Sequence, residues 1–194
     1  TSSTQRQPRV VGLSDGGYQV TWTSATSGSA GDGDSNGIFT QRYDATGSAV
    51  GGERQVNAET AGGQDVSDVA ALAGGRARGG RGSGPDGTAG DGANECVFAR
   101  FLDDQGVPDG DEFQVNAFTT GEQNDPQVAA LTSGDFVVIW RSAQQDGASG
   151  GIYGQMFTAA GATLGSEFRV NDSTSGDQTD PAVVALDDGR FVVS

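Results

Sequence analysis

Four short segments decide the fold of this chain: PQVAAL at residues 126–131, FVVIW at 136–140, GIYGQ at 151–155 and FRVN at 168–171. Most of them are rich in β-branched and aromatic residues. Stretches that contain Gly, Asp or Ser separate them, which is typical of short strands joined by tight turns. Together they predict one sheet of four antiparallel strands within about 50 residues.

The same segments recur along the chain. The fourth segment, for example, returns as RQVN at residues 54–57 and as FQVN at 113–116. Val56, Val115 and Val170 are therefore spaced by 59 and 55 residues, and the central Ile or Val of the third segment has the same two spacings. Two independent markers that agree on one spacing indicate a true internal repeat.

The repeat predicts an all-β chain made of β-propeller blades, with about three and a half repeats present. We place the repeats at approximately residues 5–63, 64–122, 123–177 and 178–194, the last of them partial. A β-solenoid is the alternative architecture. Because the fourth repeat stops within its second strand, we expect further blades beyond Ser194.

Composition narrows the classes of function. The chain has 26 acidic residues against 11 basic ones, all of them Arg, and a formal net charge of −15. Such a charge repels nucleic acid and anionic membrane surfaces. With no His and with Cys96 alone, His-dependent catalytic triads, His-ligated zinc and intrachain disulfides are excluded. No apolar run is long enough to insert into a membrane.

One repeat carries a resemblance to a known kind of protein. PQVAAL at residues 126–131 and FVVIW at 136–140, followed by QDG at 145–147, GIYGQ at 151–155 and EFRVN at 167–171, resemble a tandem repeat of large secreted bacterial proteins. Those proteins are calcium-binding and adhesin-like, and many carry hemolysin-type modules. The resemblance implies an extracellular or cell-surface, propeller-like protein with a glycan or cell-surface ligand, and it implies no catalytic residues. An export signal would lie outside this chain.

Calcium is the one cofactor that the residues suggest. The loop before the third strand of the first repeat carries oxygen ligands at alternate positions followed by a Gly, a pattern that suits a hard cation: Asp32, Asp34 and Asn36. The second repeat keeps only Asp91 and Glu95, and the third keeps only Asp146. A polar Gly/Asp turn without metal is the alternative interpretation.

Two further features recur at equivalent positions. Asp125 and Asp180 each precede a proline at the start of a first strand, and we interpret them as structural residues in an extended or turn conformation. Trp22 and Trp140 end equivalent second strands. Packing between blades is our interpretation for them, and stacking on a sugar ring is the alternative.

The second repeat breaks the pattern where an apolar second strand is expected. Residues 76–82 read RARGGRG and include Arg76, Arg78 and Arg81. One hypothesis is a disordered or ligand-facing loop whose arginines bind an anion. The other is an error between residues 76 and 95, since a single-base shift turns Arg-Gly-Gly codons into Val-Val-Val and restores the apolar strand.

The sequence thus predicts a non-enzymatic extracellular binding or adhesion module. A structural spacer in a giant surface protein is one alternative. Part of a polysaccharide-degrading enzyme is the other, since a pair of carboxylates suffices for that chemistry. No catalytic residue is assigned, because no site is visible in the sequence.

Overall fold

The computed structural model describes residues 4–25, 36–58, 64–72, 77–83, 96–147 and 149–194, and for residues 65–67 and 77–83 it describes the backbone alone. These residues form strands and turns, which confirms the all-β prediction. Within them, no helix is long and apolar enough to cross a membrane.

The strands form three four-stranded antiparallel sheets and one two-stranded sheet, which we call blades 1 to 4. Within each blade the strands pair in chain order. Blade 1 contains β1 Thr4–Gly12, β2 Tyr18–Ala25, β3 Asn36–Tyr43 and β4 Ala49–Gln55; blade 2 contains β5 Gln64–Ala71, β6 Ala77–Ser83, β7 Val97–Leu102 and β8 Pro108–Gln114; blade 3 contains β9 Gln123–Ala130, β10 Phe136–Ala143, β11 Gly150–Phe157 and β12 Thr163–Arg169; blade 4 contains β13 Val183–Ala185 and β14 Phe191–Val193.

Tight turns join the first two strands of blades 1, 3 and 4. In blade 3 the N–H of Leu131 donates to the carbonyl of Asp135 at 2.8 Å, and the N–H of Gly134 donates to the carbonyl of Leu131 at 3.0 Å. Gly134 has a φ of +89°, a left-handed conformation that a Cβ atom would strain. Gly16 and Gly189 occupy the same place in blades 1 and 4. The repeated glycine therefore fixes the hairpin that begins each of these blades.

The apolar core lies between neighbouring sheets. Its largest part joins blades 2 and 3 and contains Phe136, Trp140 and Phe157, none of them more than 1% exposed. Phe136 stacks on Phe157 with ring centroids 5.0 Å apart. Smaller clusters join blades 1 and 2 and blades 3 and 4. Because blade 3 lies between blades 2 and 4 and packs against both, its second strand is apolar at successive positions, as FVVIW is.

The first strands of successive blades contact one another. β1 contacts β5, β5 contacts β9, and β9 contacts β13. Asp68 on β5 ties three of them together, since its Oδ2 accepts a hydrogen bond from the N–H of Val128 on β9 at 2.8 Å and its Oδ1 lies 3.9 Å from Nε of Arg9 on β1. Blades whose first strands converge in this way have the arrangement of a β-propeller, which confirms the predicted fold.

A recurring polar contact links each blade to the next. The Asn that follows the fourth strand accepts a hydrogen bond from the third strand and donates one to the first Gln of the next blade. The pairs are Asn57–Gln64, Asn116–Gln123 and Asn171–Gln178, with donor–acceptor distances of 3.1, 3.2 and 3.1 Å. The N–H of the residue after this Asn donates a hydrogen bond to a Glu on the fourth strand of the next blade: Ala58 donates to Glu112, and Ala117 donates to Glu167. The same contacts at successive junctions show that the blades follow one another by the same geometric step.

The Arg-rich segment of blade 2 forms a strand. β6 pairs with β5 along its whole length and with β7 over residues 77–82, so the hypothesis of a disordered loop is wrong for residues 77–83. Backbone hydrogen bonds form whatever the side chain, which is why the position in the repeat prevails over the poor strand propensity of Gly-Gly. Arg76 and residues 84–95 lie outside the described residues, and the hypothesis of a sequence error stays a prediction.

Candidate functional site

The site begins with a backbone irregularity that recurs on the first strands. Gln7, Asp125 and Asp180 hold the same position of the repeat, and their φ angles are +52°, +51° and +54°. Each precedes a proline. We predicted extended or turn conformations for the two aspartates, whereas all three residues are left-handed. In β1 and β9 the residue lies in a β-bulge, where pairing resumes beyond a proline that lacks an N–H.

Left-handed residues other than glycine cost about 1–3 kcal/mol each, and they cluster at functional sites. Here the strained position lies near the amino-terminal ends of strands that converge. Asp125 and Asp180 therefore lie at equivalent positions of neighbouring blades. The structure thus brings these two sequence-predicted turn residues together.

The two carboxylates interact electrostatically. Burial raises the pKa of Asp125 above its ordinary value of 3.8, and the negative charge of Asp180 raises it further, while the positive charge of Arg141 lowers it. Asp125 is half-buried and Asp180 is exposed. The hydroxyl of Thr179 donates a hydrogen bond to Oδ2 of Asp180 at 2.9 Å. The pKa of Asp125 is thus raised, while Asp180 is exposed to solvent.

Arg141 is held beside this pair by a third aspartate. Its Nη2 donates to both carboxylate oxygens of Asp177, at 2.9 and 3.2 Å, and its Nε donates to Oδ1 at 3.3 Å. Gly150 makes room for this ion pair, because a Cβ there would come within 2.9 Å of Nε and Nη2 of Arg141 and would also clash with Asp177. The bidentate contact fixes the guanidinium in one orientation.

A second polar cluster lies on the outer part of blade 3. Burial raises the pKa of Tyr153, as does the charge of Asp146, and Arg169 lowers it. Gln145 donates a hydrogen bond to Oε1 of Glu167, whose Oε2 accepts from Ala117 of blade 2 at 2.8 Å. Since Glu167 bridges two blades, we interpret this cluster as structural.

The predicted calcium ligands are largely outside the described residues: Asp32, Asp34, Asp91 and Glu95. Asn36 is described, and it begins β3, where it pairs with Ala25. The described part of the chain holds no group of three or more acidic, His or Cys side chains that could bind a metal. Calcium stays a prediction for the first loop.

The two tryptophans differ in their surroundings. Trp140 is 0% exposed within the core between blades 2 and 3, which confirms the packing interpretation for that residue. Trp22 is half-buried and stacks on Phe39 with ring centroids 6.4 Å apart.

Sequence reasoning missed the inter-blade contacts of Asn57, Asn116 and Asn171. We assigned these residues only to the fourth strand. The signal was present, because each Asn is followed seven residues later by Gln in all three copies. The interaction of Asp125 with Asp180 left no comparable signal, since two residues 55 positions apart become neighbours only when the blades assemble.

Comparisons with known proteins give matches in structure alone. Neither the protein-family models nor the curated proteins include a match. Among solved structures, the chain is similar to an α-L-arabinanase of Penicillium chrysogenum complexed with arabinobiose, with a TM-score of 0.63 and 16% identity over 97% of this chain and 58% of that one. It is also similar to a family 117 glycoside hydrolase of Zobellia galactanivorans (TM-score 0.58, 12% identity, 93% and 59% covered) and to an endo-arabinase of Bacteroides thetaiotaomicron (0.56, 14%, 96% and 68%).

These similarities correct three expectations. The resemblance to hemolysin-type calcium-binding repeat proteins is wrong, because the three similar structures named above are glycoside hydrolases and arabinanases. For the same reason, the expectations of a non-enzymatic adhesion module and of a chain outside any enzyme are overturned. The earlier inference failed because a strand pattern specifies how blades pack, whereas function depends on the residues placed on them. Identities of 12 to 16% establish the fold alone, and the chain spans between 58% and 68% of these structures.

Proposed function

We propose that this chain forms part of a polysaccharide-degrading enzyme in which Asp125 and Asp180 are the reacting carboxyl groups. The observation that carries the proposal is their placement at one strained position of neighbouring, converging strands. Glycoside hydrolysis requires two carboxyl groups that flank the scissile bond. The similarity in fold to three polysaccharide-degrading or glycoside-hydrolysing proteins supports it.

The surroundings of the two carboxyl groups assign them different roles. Asp125 has the raised pKa, so it holds its proton to higher pH and acts as the general acid that protonates the leaving oxygen. Asp180 is exposed and is oriented by Thr179, so it acts as the carboxylate that activates water or attacks the sugar. Arg141 limits the pKa rise of Asp125 and is itself fixed by Asp177.

The charge of the chain suggests the class of substrate. A protein with a net charge of −15 repels acidic polysaccharides, so we propose a neutral glycan. The arabinobiose bound to the Penicillium chrysogenum arabinanase makes arabinan the first substrate to test. Because a polysaccharide such as arabinan lies outside cells, the proposal includes an extracellular location for the protein.

The test is release of reducing sugar from linear arabinan and from a panel of neutral polysaccharides. We expect the native chain to release sugar, and Asp125→Asn and Asp180→Asn each to lower the rate by at least about 100-fold, the usual contribution of a positioned acid or base. Asp188→Asn is the matched control, because Asp188 is an exposed aspartate paired with Arg190 in the turn of blade 4.

Two results would overturn the proposal. One is full activity of both Asp125→Asn and Asp180→Asn. The other is a folded native chain that neither hydrolyses any glycan of the panel nor binds arabinobiose or its oligomers in calorimetry. Circular dichroism of each variant separates loss of chemistry from loss of fold.

A further inference from the structure

The face of blade 1 that points away from blade 2 carries a complete but uncovered set of packing residues. In blade 3 six residues face blade 2, and all of them are buried: Val128, Phe136, Val138, Trp140, Tyr153 and Phe157. Their equivalents in blade 1 are Val10, Tyr18, Val20, Trp22, Phe39 and Tyr43, and each of these is exposed or half-buried. Val10 is 65% exposed, whereas Val128 is 7% exposed.

The aromatic arrangement is the same on both faces. Tyr18 stacks on Tyr43 with ring centroids 5.0 Å apart, and Phe136 stacks on Phe157 at the same distance. In blade 3 this pair forms the centre of a packed interface. Blade 1 therefore presents the same preformed apolar surface that blade 3 buries against its neighbour.

The polar half of the inter-blade contact is present on this face as well. Gln5 holds the position of Gln64, Gln123 and Gln178, which receive the Asn side chain of the preceding blade. Glu53 holds the position of Glu112 and Glu167, which accept the next backbone N–H of that blade.

Gln5 and Glu53 line one cleft. Its volume is about 370 Å³, and its other lining residues are Arg6, Pro8, Val20, Trp22 and Tyr43. Gln5 and Glu53, which would accept the hydrogen bonds of a preceding blade, therefore line the same cleft as Trp22, the equivalent of the buried Trp140. The cleft continues, on blade 1, the series of interfaces already formed between the four blades.

We infer that this face of blade 1 binds a further complete blade of the same repeat. The incoming blade is one whose fourth strand is followed by Val-Asn. Its Asn amide donates to Gln5, the next backbone N–H donates to Glu53, and its apolar side chains cover Val10, Trp22 and Tyr43.

A fusion tests the inference on the whole chain. A second copy of residues 123–173 is placed directly before Thr1, so that the Asn171 of the added copy precedes Gln5 by seven residues, the spacing found at the three internal junctions. Hydroxyl-radical footprinting with mass spectrometry then measures the exposure of single side chains. We expect labelling of Trp22 and Tyr43 to fall several-fold in the fusion, and Trp140 to stay protected in both proteins.

The matched variant is Glu53→Ala, made in the fusion and in the original chain. We expect it to lower the melting temperature of the fusion while leaving that of the original chain unchanged, because Glu53 is exposed there. Equal labelling of Trp22 in the fusion and in the original chain would overturn the inference. So would concentration-dependent protection of Trp22 in the original chain alone, since that result would identify a second copy as the occupant.

Discussion

Asn116 offers the sharpest test of how the blades are held together. It is 4% exposed, and its Oδ1 accepts a hydrogen bond from the N–H of the fully buried Val97 at 2.8 Å. Its Nδ2 donates to Oε1 of the fully buried Gln123 at 3.2 Å and to the carbonyl of Phe118 at 2.9 Å. Asn116→Ala leaves a buried donor and a buried acceptor without these partners. At about 1–3 kcal/mol for each stranded buried group, the two groups give an expected loss of about 2–6 kcal/mol in the free energy of unfolding.

The control is Asn171→Ala, which removes the same bonds at the junction of blades 3 and 4. Gln178 is half-buried there, so water replaces its lost partner, and the N–H of the buried Ile152 is the one group that is stranded; we expect a smaller loss, of about 1–3 kcal/mol. Urea unfolding followed by circular dichroism measures both variants. If Asn116→Ala costs no more than Asn171→Ala, the reasoning from buried hydrogen bonds is refuted.

Three other predictions concern charge, packing and metal. Burial raises the pKa of Asp68, so the folded chain binds more protons than the unfolded chain between the unfolded value, near 3.8, and the raised folded value. This contribution to stability is present at acid pH and is lost as the pH rises through the folded pKa. Asp68→Asn should therefore melt higher than the native chain at pH 7, with a difference that shrinks on acidification; a lower melting temperature at pH 7 would contradict this. Trp140→Ala should cost about 3–5 kcal/mol as a cavity in the core, whereas Trp22→Ala should cost about 1 kcal/mol; equal losses in urea unfolding would contradict the difference in burial. If Asp32 belongs to a calcium site, calcium should raise the melting temperature of the native chain and not that of Asp32→Ala; an equal rise in both would exclude that loop.

The strands could be predicted from the sequence, but two of their limits could not. We placed the first strand of blade 3 at residues 126–131, whereas β9 begins at Gln123. Asp-Pro predicts a break, yet the bulge at Asp125 lets pairing continue to Asn124, opposite Arg141. The fourth strand of blade 3 also ends earlier than we placed it, since the fourth segment was placed at residues 168–171 and β12 ends at Arg169. Asn171 instead makes the hydrogen bond that links blade 3 to blade 4. In both cases tertiary contacts prevail over a local signal.

The candidate site was visible in the sequence only as an unexplained recurrence. Asp125 and Asp180 could be aligned, but nothing local shows that strands 55 residues apart converge. Whether they are neighbours depends on the step from one blade to the next, to which contacts such as that of Asn171 with Gln178 contribute. A repeat therefore predicts how the blades pack, but it does not predict that two of its aspartates interact, because that depends on how the blades assemble.

One position near the start of each blade shows how the backbone can recur while the side chain changes. The left-handed backbone is present at Gln7 as well as at Asp125 and Asp180, so it does not arise from a carboxylate. In blade 2 the strand pairing also shifts at this point, between Asp65 and Ser67, with Val66 at the equivalent position. Blades 1, 2 and 3 thus keep the bulge whatever side chain it carries, and two adjacent blades, 3 and 4, have an acid at this position of the repeat. A strained backbone that the scaffold maintains independently of its side chain is the kind of support on which a pair of reacting groups is held in place.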